Sequence, residues 1–358
     1  MIPFAIATGT MSCAQNIFIR IHTDEGITGV GECSAFPVIT GETQATCFEV
    51  AKDFAAIWKG KYPLNIEERL NELHECIYGN YTIKSAFDMA LYDIAAKRAN
   101  QPLYKFLGGN LPAGQVNKKI IESDLTIGIG TPGTMAATAV EFKQKGVKII
   151  KVKLGKKPDE DVERIKRIRA AVGDEIILRV DANQGWSYED AEFVLQNIQS
   201  YNIQFCEQPM RKYHDDLLLQ LRMQTIIPIM ADESVFTHYD AERIIKNNAT
   251  DYINIKFAKS GGINEALRIN TVAAKNSIAC MMGGMLESRL ALTAKVHFAL
   301  ANDNIKFYDL DTCLLGHLED PVTGGATFKG MNLEIGDSIG IGADVDDAFL
   351  KKLEKVVV

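Results

Sequence analysis

Several things are scarce in this 358-residue chain, and each scarcity removes a class of function. Positive charge is not in excess: 39 Lys and Arg stand against 46 Asp and Glu, a formal charge of −7, which argues against a nucleic-acid partner needing a basic stripe. No uninterrupted apolar run reaches the length of a membrane span, and Met1-Ile-Pro-Phe4 has no basic n-region of a secretory signal. The seven cysteines are scattered, odd in number and without a C-x-x-C pair, which fits reduced thiols in a cytoplasm better than disulfides or zinc. No low-complexity segment is present, and no Gly-rich dinucleotide turn follows the first strand of the alternating region. With 47% hydrophobic and 24% charged residues, the chain is expected to be an ordinary globular protein.

What is present is a ladder of charges. Lys151-Val-Lys153, Asp181-Ala-Asn183, Glu207-Gln-Pro209, Asp232-Glu-Ser234 and Lys256 each follow a short apolar run. From Lys153 through Asp181, Glu207 and Asp232 to Lys256 the spacings are 28, 26, 25 and 24 residues. Such a period is one strand, one helix and two loops. Candidate strands lie at Leu125–Ile129, Lys148–Val152, Ile176–Val180, Ile203–Cys206, Pro228–Ala231, Tyr252–Ile255, Ile278–Met282 and Ile305–Tyr308, with helical segments such as Asp161–Val172 between them. The pattern predicts an α/β fold of TIM-barrel type over residues 111–321.

Before it, Ile17–Ile21, a turn at Thr23–Gly26 and Thr28–Glu32 read as a hairpin. Helical spacing follows. In Ser85–Ala96, the residues Phe87, Ala90, Leu91, Ile94 and Ala95 fall on one buried face. Leu107-Gly-Gly-Asn-Leu-Pro112 is the predicted boundary of an α+β domain, residues 1–110, with the tail 322–358 packing back onto it.

If the eight strands close in order, Asp181, Glu207 and Asp232 end the neighbouring third, fourth and fifth strands. Three clustered carboxylates call for a cation, and all-oxygen ligation favours Mg²⁺. Any one of them alone is more often a solvated loop acid or a helix cap. Lys153 and Lys256 end the second and sixth strands and flank a ligand from opposite sides, where a neighbouring cation lowers a lysine's proton affinity. Lys151 supplies that neighbouring charge. Tyr308-Asp-Leu-Asp311 ends the eighth strand with two acids on one face, suited to an ammonium or to a second metal. The ligand so described is anionic at one end and cationic at the other, with a carbon between two lysines.

This set resembles the enolase superfamily, muconate-lactonizing subgroup, over nearly the whole chain. That superfamily stabilises an ene-diolate with Mg²⁺ and a Lys or His base, so the chemistry is carried over from it rather than predicted. The resemblance implies a modified (β/α)7β barrel with an N-terminal α+β capping domain. It makes Asp181, Glu207 and Asp232 the Mg²⁺ ligands, Lys153 and Lys256 the acid/base pair, and Lys151 the partner of the substrate carboxylate. Asn183, Glu233 and Glu287 become orienting residues. Asp309 and Asp311, with Gly283-Gly-Met-Leu-Glu-Ser288, are similar to segments of the dipeptide epimerases, among them L-Ala-D/L-Glu epimerases, in which the acidic pair holds the substrate's α-ammonium.

The expected activity is a two-base epimerisation of a small dipeptide at the α-carbon beside its carboxylate, through a metal-stabilised enediolate. Nucleic acid and membrane are not expected as partners, and a homo-oligomer is compatible with the reading. A same-subgroup alternative is o-succinylbenzoate synthase or a cycloisomerase; a non-catalytic binding barrel is the alternative from another class. Two departures stand out. Relatives begin with a further strand before the segment matching Pro3-Phe4. The first capping loop, Thr8–Asn16, has no cation to meet a substrate Glu, which favours small or apolar side chains; Phe36–Thr43 is the second expected lid loop.

Overall fold

The computed structural model describes residues 3–109 and 120–358. Gln15–His22 and Thr28–Ala35 form the expected antiparallel hairpin, in register from Gln15 opposite Ala35 to His22 opposite Thr28. Its turn closes where Thr23 Oγ1 accepts from the Ile27 amide at 3.1 Å and Gly26 takes a φ of 79°. The hairpin lies so close to the helix Tyr81–Arg98 that a Cβ at Gly29 or Gly31 would meet the carbonyl oxygens of Ala90 and Ala86 at 2.2 and 1.9 Å. The helix itself departs from the expectation of one buried face. Every residue from Thr82 to Ala96 is buried, because the hairpin, neighbouring cap helices and the barrel turn Phe257–Ser260 cover it from several sides.

Eight parallel strands form the barrel, each hydrogen-bonded to the next in chain order. We number these barrel strands β1 (Leu125–Ile127), β2 (Ile149–Lys153), β3 (Ile177–Asp181), β4 (Ile203–Glu207), β5 (Ile229–Ala231), β6 (Tyr252–Ile255), β7 (Ala279–Gly283) and β8 (Ile305–Asp309). Between β8 and β1 the seam is held by the Asp124 amide on the Tyr308 carbonyl at 3.3 Å and the Leu310 amide on Ser123 Oγ at 2.8 Å. Helices follow each of the first seven strands, which makes the fold the expected (β/α)7β barrel. Side chains alternate along each strand. Ile150, Val152, Leu178, Val180, Ile253 and Ile255 join the main core under the helices, whereas Phe205, Met230 and Met281 form a separate apolar plug inside the barrel. The charged residues sit on the inward-facing register above that plug.

The N-terminal domain is fastened to the barrel's C-terminal end by two carboxylates. Asp88 accepts from the first amides of the helix Ile263–Lys275, with the Asn264 amide at 3.1 Å. Glu32 accepts from the Ser288 amide at 2.7 Å, Ser288 Oγ at 2.8 Å and the Ala291 amide at 3.0 Å, at the start of the helix Arg289–Ala301. Orphan amides at helix starts need such acceptors. The tail touches both parts of the chain. Arg20 holds Asp347 at 2.8 Å and the Val345 carbonyl at 2.7 Å, while Asn332–Glu334 pairs with Ile120–Glu122 just before β1. The break predicted at Leu107–Pro112 falls partly outside the described residues. No helix among the described residues is long and apolar enough to cross a membrane.

Candidate active site

The ends of β2 to β6 deliver their charges to one place. Asp181 and Glu207 are the last residues of β3 and β4, Asp232 follows β5 directly, and all three are at most 1% exposed. Lys151 Nζ bridges the first two, 3.0 Å from Asp181 Oδ2 and 2.6 Å from Glu207 Oε2. Lys256 Nζ lies 2.7 Å from Asp232 Oδ2 and 3.9 Å from Glu207 Oε1. Lys153 Nζ reaches Asp181 Oδ2 at 2.6 Å. Three carboxylates and three lysines from five successive strands therefore share one cluster.

Backbone strain marks the same strand ends. Asn183 and Gln184, just after β3, and Gln208, after β4, all have positive φ, of 42°, 65° and 36°. Residues other than glycine hold such angles at a cost, smaller for Asn than for Gln, that surrounding contacts can offset. Those contacts are present. The Asn183 amide donates to Asp181 Oδ1 at 2.8 Å, and Gln208 Oε1 accepts from the amides of Asp232 at 2.8 Å and Ser234 at 3.2 Å.

Above the cluster opens a cavity of about 550 Å³, counting its open side. Lys153 and Lys256 both line it, as do Asn183, Glu233, Asp309, Asp311 and Thr126. Its upper wall is apolar: Phe4, Ile6, Met11, Phe36 and Ile39 come from the N-terminal domain, and Met285, Leu286 and Leu315 from loops after β7 and β8. Met11 and Phe36 belong to the two expected lid loops. No cation reaches the cavity wall from either loop.

Two family models cover most of the chain: the N-terminal domain of mandelate racemase and muconate lactonizing enzyme matches residues 1–108, and the enolase C-terminal domain-like family matches residues 134–349. The chain belongs to the enolase superfamily. It is 44% identical to the D-Ala-D/L-Ala epimerase of Cytophaga hutchinsonii, over 99% of this chain and 95% of that protein. To the hydrophobic dipeptide epimerase of Enterococcus faecalis it is 38% identical, over 95% and 94%. A crystal structure of the Cytophaga hutchinsonii dipeptide epimerase, complexed with Mg and D-Ala-L-Val, superposes with a TM-score of 0.95 at 44% identity, covering 99% of this chain and 95% of that one. Such relatives are epimerases, and this member of the superfamily is an isomerase.

Within this superfamily barrel the expected site residues separate by depth. Lys151 is fully buried and lies beneath the cavity rather than on its wall, with Asp309 Oδ2 as a third partner at 2.7 Å. Asp309 is consequently one lysine away from the carboxylate cluster, closer than the opposed placement of the fourth and eighth strands suggested. Asp311 accepts from the Thr126 amide at 2.7 Å. Asp124, Asp309 and Asp311 come together in a buried acidic group, with Arg179 Nη1 2.7 Å from Asp124 Oδ2. Glu287 is not on the cavity wall: it pairs with Lys295 and accepts from the Met285 amide at 2.6 Å, holding the wall-forming segment Gly284–Leu286.

Electrostatics follow from these contacts. Burial pushes Asp232 up, yet Lys256 and Lys259 outweigh it and hold the carboxyl well below its ordinary range. For Glu207, burial and then Asp181 raise it to about 7; for Glu233, burial and Asp232 raise it to about 8. Burial lowers Lys256, but Asp232 and Glu207 more than compensate and its affinity for protons rises. The direction is opposite to that expected of a lysine beside a cation, because here its nearest partners are the acids themselves.

Four contributing residues escaped the sequence reading. Asn254 Nδ2 donates to Glu207 Oε1 at 2.8 Å, and it fits only because position 283 is glycine, whose Cβ would lie 2.4 Å from Asn254 Oδ1. Arg179 and Asp124 are buried charges inside the barrel. Lys259 is buried on Asp232, and the Lys-x-x-Lys spacing from Lys256 was the available signal.

Proposed function

We propose that the chain is a Mg²⁺-dependent dipeptide epimerase acting on substrates with small or apolar side chains. The observation that carries the reading is that Lys153 and Lys256, from strands four steps apart around an eight-stranded barrel, open onto the same cavity as Asp309 and Asp311. One lysine accepts the α-proton and the other delivers a proton to the opposite face. The acidic pair receives the substrate's ammonium, a charge-assisted contact at the far end of the dipeptide. Asn183 and Glu233 orient the groups around the reacting carbon, Glu287 holds the wall segment Gly284–Leu286 in place, and Lys151 balances Asp181, Glu207 and Asp309 from below. We read residues 1–110, completed by 322–358, as the cap that closes over the substrate and 111–321 as the catalytic barrel.

Asp181, Glu207 and Asp232 fit a hard divalent cation. The donor set is entirely carboxylate oxygen, fully buried, and already so charged that three lysines converge on it. When bound, Mg²⁺ supplies Lewis-acid stabilisation of the charge that gathers on the substrate carboxylate. The apolar upper wall supports the side-chain preference, as do relatives named for D-Ala-D/L-Ala and hydrophobic dipeptides. The test is a panel of dipeptides, Ala-Ala and Ala-X, incubated with the protein and Mg²⁺ in D₂O. Deuterium at the α-carbon beside the carboxylate is expected for small and apolar X; none across the panel would overturn the proposal.

A further inference from the structure

Asp232 is held by two lysines that have different surroundings. Lys256 meets Oδ2 at 2.7 Å and lies on the cavity wall. Lys259, three residues on, meets Oδ1 at 2.8 Å and has no exposure at all. Its ammonium also donates to the carbonyls of Val235 and Asn254, each at 2.8 Å, and to that of Asp232. An ammonium has three protons to give, and the three carbonyls take all of them; Asp232 Oδ1 meets the fixed ammonium as an ion pair without a hydrogen bond. Two of those carbonyls belong to the loop after β5 and one to β6 itself, so Lys259 ties together the backbones that carry Asp232 and Lys256. Swinging it away would strand an ammonium and three carbonyls in a dry interior, a heavy penalty. Lys256 has no backbone carbonyl partner of this kind among the described contacts.

We infer that Lys259 is a positioning residue whose ammonium, fixed by three carbonyls, stands permanently against Asp232 Oδ1 and repels a cation from it, leaving only Oδ2 to a bound cation and thereby setting the site's preference for Mg²⁺ over Ca²⁺. This rests on the metal reading above. Ca²⁺ accepts more oxygens at longer distance and commonly takes a carboxylate through both, whereas Mg²⁺ keeps a tight octahedron. A carboxylate confined to one oxygen disfavours the larger ion.

The test is calorimetric titration of the whole protein with MgCl₂ and with CaCl₂, without substrate, for the wild type, Lys259→Met, Lys259→Gln and Lys84→Met. Lys84 is a buried lysine of the N-terminal domain whose ammonium bonds the Ile77 carbonyl at 2.6 Å, away from the cluster, and so matches the loss of a buried charge. The ratio of Mg²⁺ to Ca²⁺ affinity is expected to fall about tenfold or more in Lys259→Met, less in Lys259→Gln, which keeps a donor, and not at all in Lys84→Met. An unchanged ratio in a folded Lys259 variant, or an equal change in Lys84→Met, overturns the inference while leaving the metal site standing. A crystal structure of the wild type with Mg²⁺ gives the answer without any variant: Asp232 bound through both oxygens, or Lys259 displaced, overturns it equally. Wild-type protein that binds no Mg²⁺, or an Asp232→Asn variant that binds it as well, would remove the metal reading and this inference together.

Discussion

The floor and the roof of the cavity are built on opposite principles. The floor is charged, buried and delivered by strand ends, with Asp181, Glu207 and Asp232 locked to lysines at 2.6 to 3.0 Å. The roof is apolar and comes mainly from the N-terminal domain, with Phe4, Ile6 and Met11 on a small hairpin and Phe36 and Ile39 at a short helix, joined by Met285, Leu286 and Leu315 from loops after β7 and β8. A barrel spaces its strand ends rigidly, so chemistry placed there is positioned by the fold itself. Loops vary without disturbing that frame, which makes the roof the natural place for substrate choice. Damage to the floor should therefore abolish turnover whatever the substrate, and damage to the roof should redistribute turnover among substrates.

The largest effect belongs to the two lysines. Lys153→Ala or Lys256→Ala should each lower epimerisation by roughly 10²–10⁴-fold, the usual worth of a general acid/base. Each single variant should still wash deuterium from D₂O into one stereoisomer of the substrate, because the remaining lysine serves its own face. Proton NMR of both stereoisomers measures this. Equal exchange from both isomers in a single variant would contradict the assignment of one lysine to each face.

Next in size is the ammonium end. Asp311→Asn keeps an acceptor for the Thr126 amide, now at 2.7 Å, but removes the charge. A hydrogen bond to a charged group contributes about 1.5–3 kcal/mol, so kcat/KM should fall roughly 10- to 100-fold. An N-acetylated dipeptide, lacking the ammonium, should lose nothing between wild type and variant. If both substrates fall together, the acid pair is part of the floor's structure and the ammonium assignment fails.

The roof should give smaller and more selective changes. Phe36→Ala ought to lower kcat/KM for large apolar side chains about tenfold, the scale of a lost apolar contact, and leave Ala-Ala nearly unchanged. Met11→Arg, which places a cation on the wall, should raise turnover of Ala-Glu relative to Ala-Val. Competition assays with mixed dipeptides read both outcomes. Uniform loss across all substrates would erase the distinction between roof and floor.

How legible the two regions were in the sequence follows from the same contrast. The floor could be read because a barrel converts chain distance into position: every charge from Lys153 to Lys256 sits one strand-helix period after the last, and each residue named there lies in or directly against the cluster. Residues that act by reaching sideways were not readable. Asn254 points into the barrel like any polar strand residue, and its contact with Glu207 exists only because Gly283, on the next strand, leaves room. Lys151 was placed correctly on its strand but not in depth, since period-two alternation gives a face and not a distance from the cavity. The roof is legible only as two capping segments, because the hairpin Phe4–Ile6 with Gly9–Met11 and the helix Pro37–Thr40 are too short for a period to show. Their apolar character was nonetheless legible in a missing cation between Thr8 and Asn16.

The smallest effect on catalysis, and a control for all the others, comes from a histidine that belongs to neither region. His297 lies on a buried face of the helix Arg289–Ala301, where Nδ1 faces the Tyr104 amide at 3.1 Å and Nε2 the Ile341 carbonyl at 3.1 Å. The amide demands an acceptor at Nδ1 and the carbonyl a proton at Nε2, so the neutral ring satisfies both and a second proton does not fit. Burial accordingly lowers its pKa to about 4. A base whose folded value is depressed contributes stability that is present above its ordinary value near 6.5 and is lost as the pH falls through 4. At about 1.4 kcal/mol per pKa unit, roughly 3 kcal/mol should disappear across that window. His297→Gln offers an acceptor and a donor without titrating, and denaturant melts of this variant should lose less stability between pH 6.5 and 4 than the wild type does. Its epimerase activity at neutral pH should stay within about twofold, because His297 touches neither the lysines nor the lids. Any acid loss of activity that persists in His297→Gln then belongs to the titration of the floor.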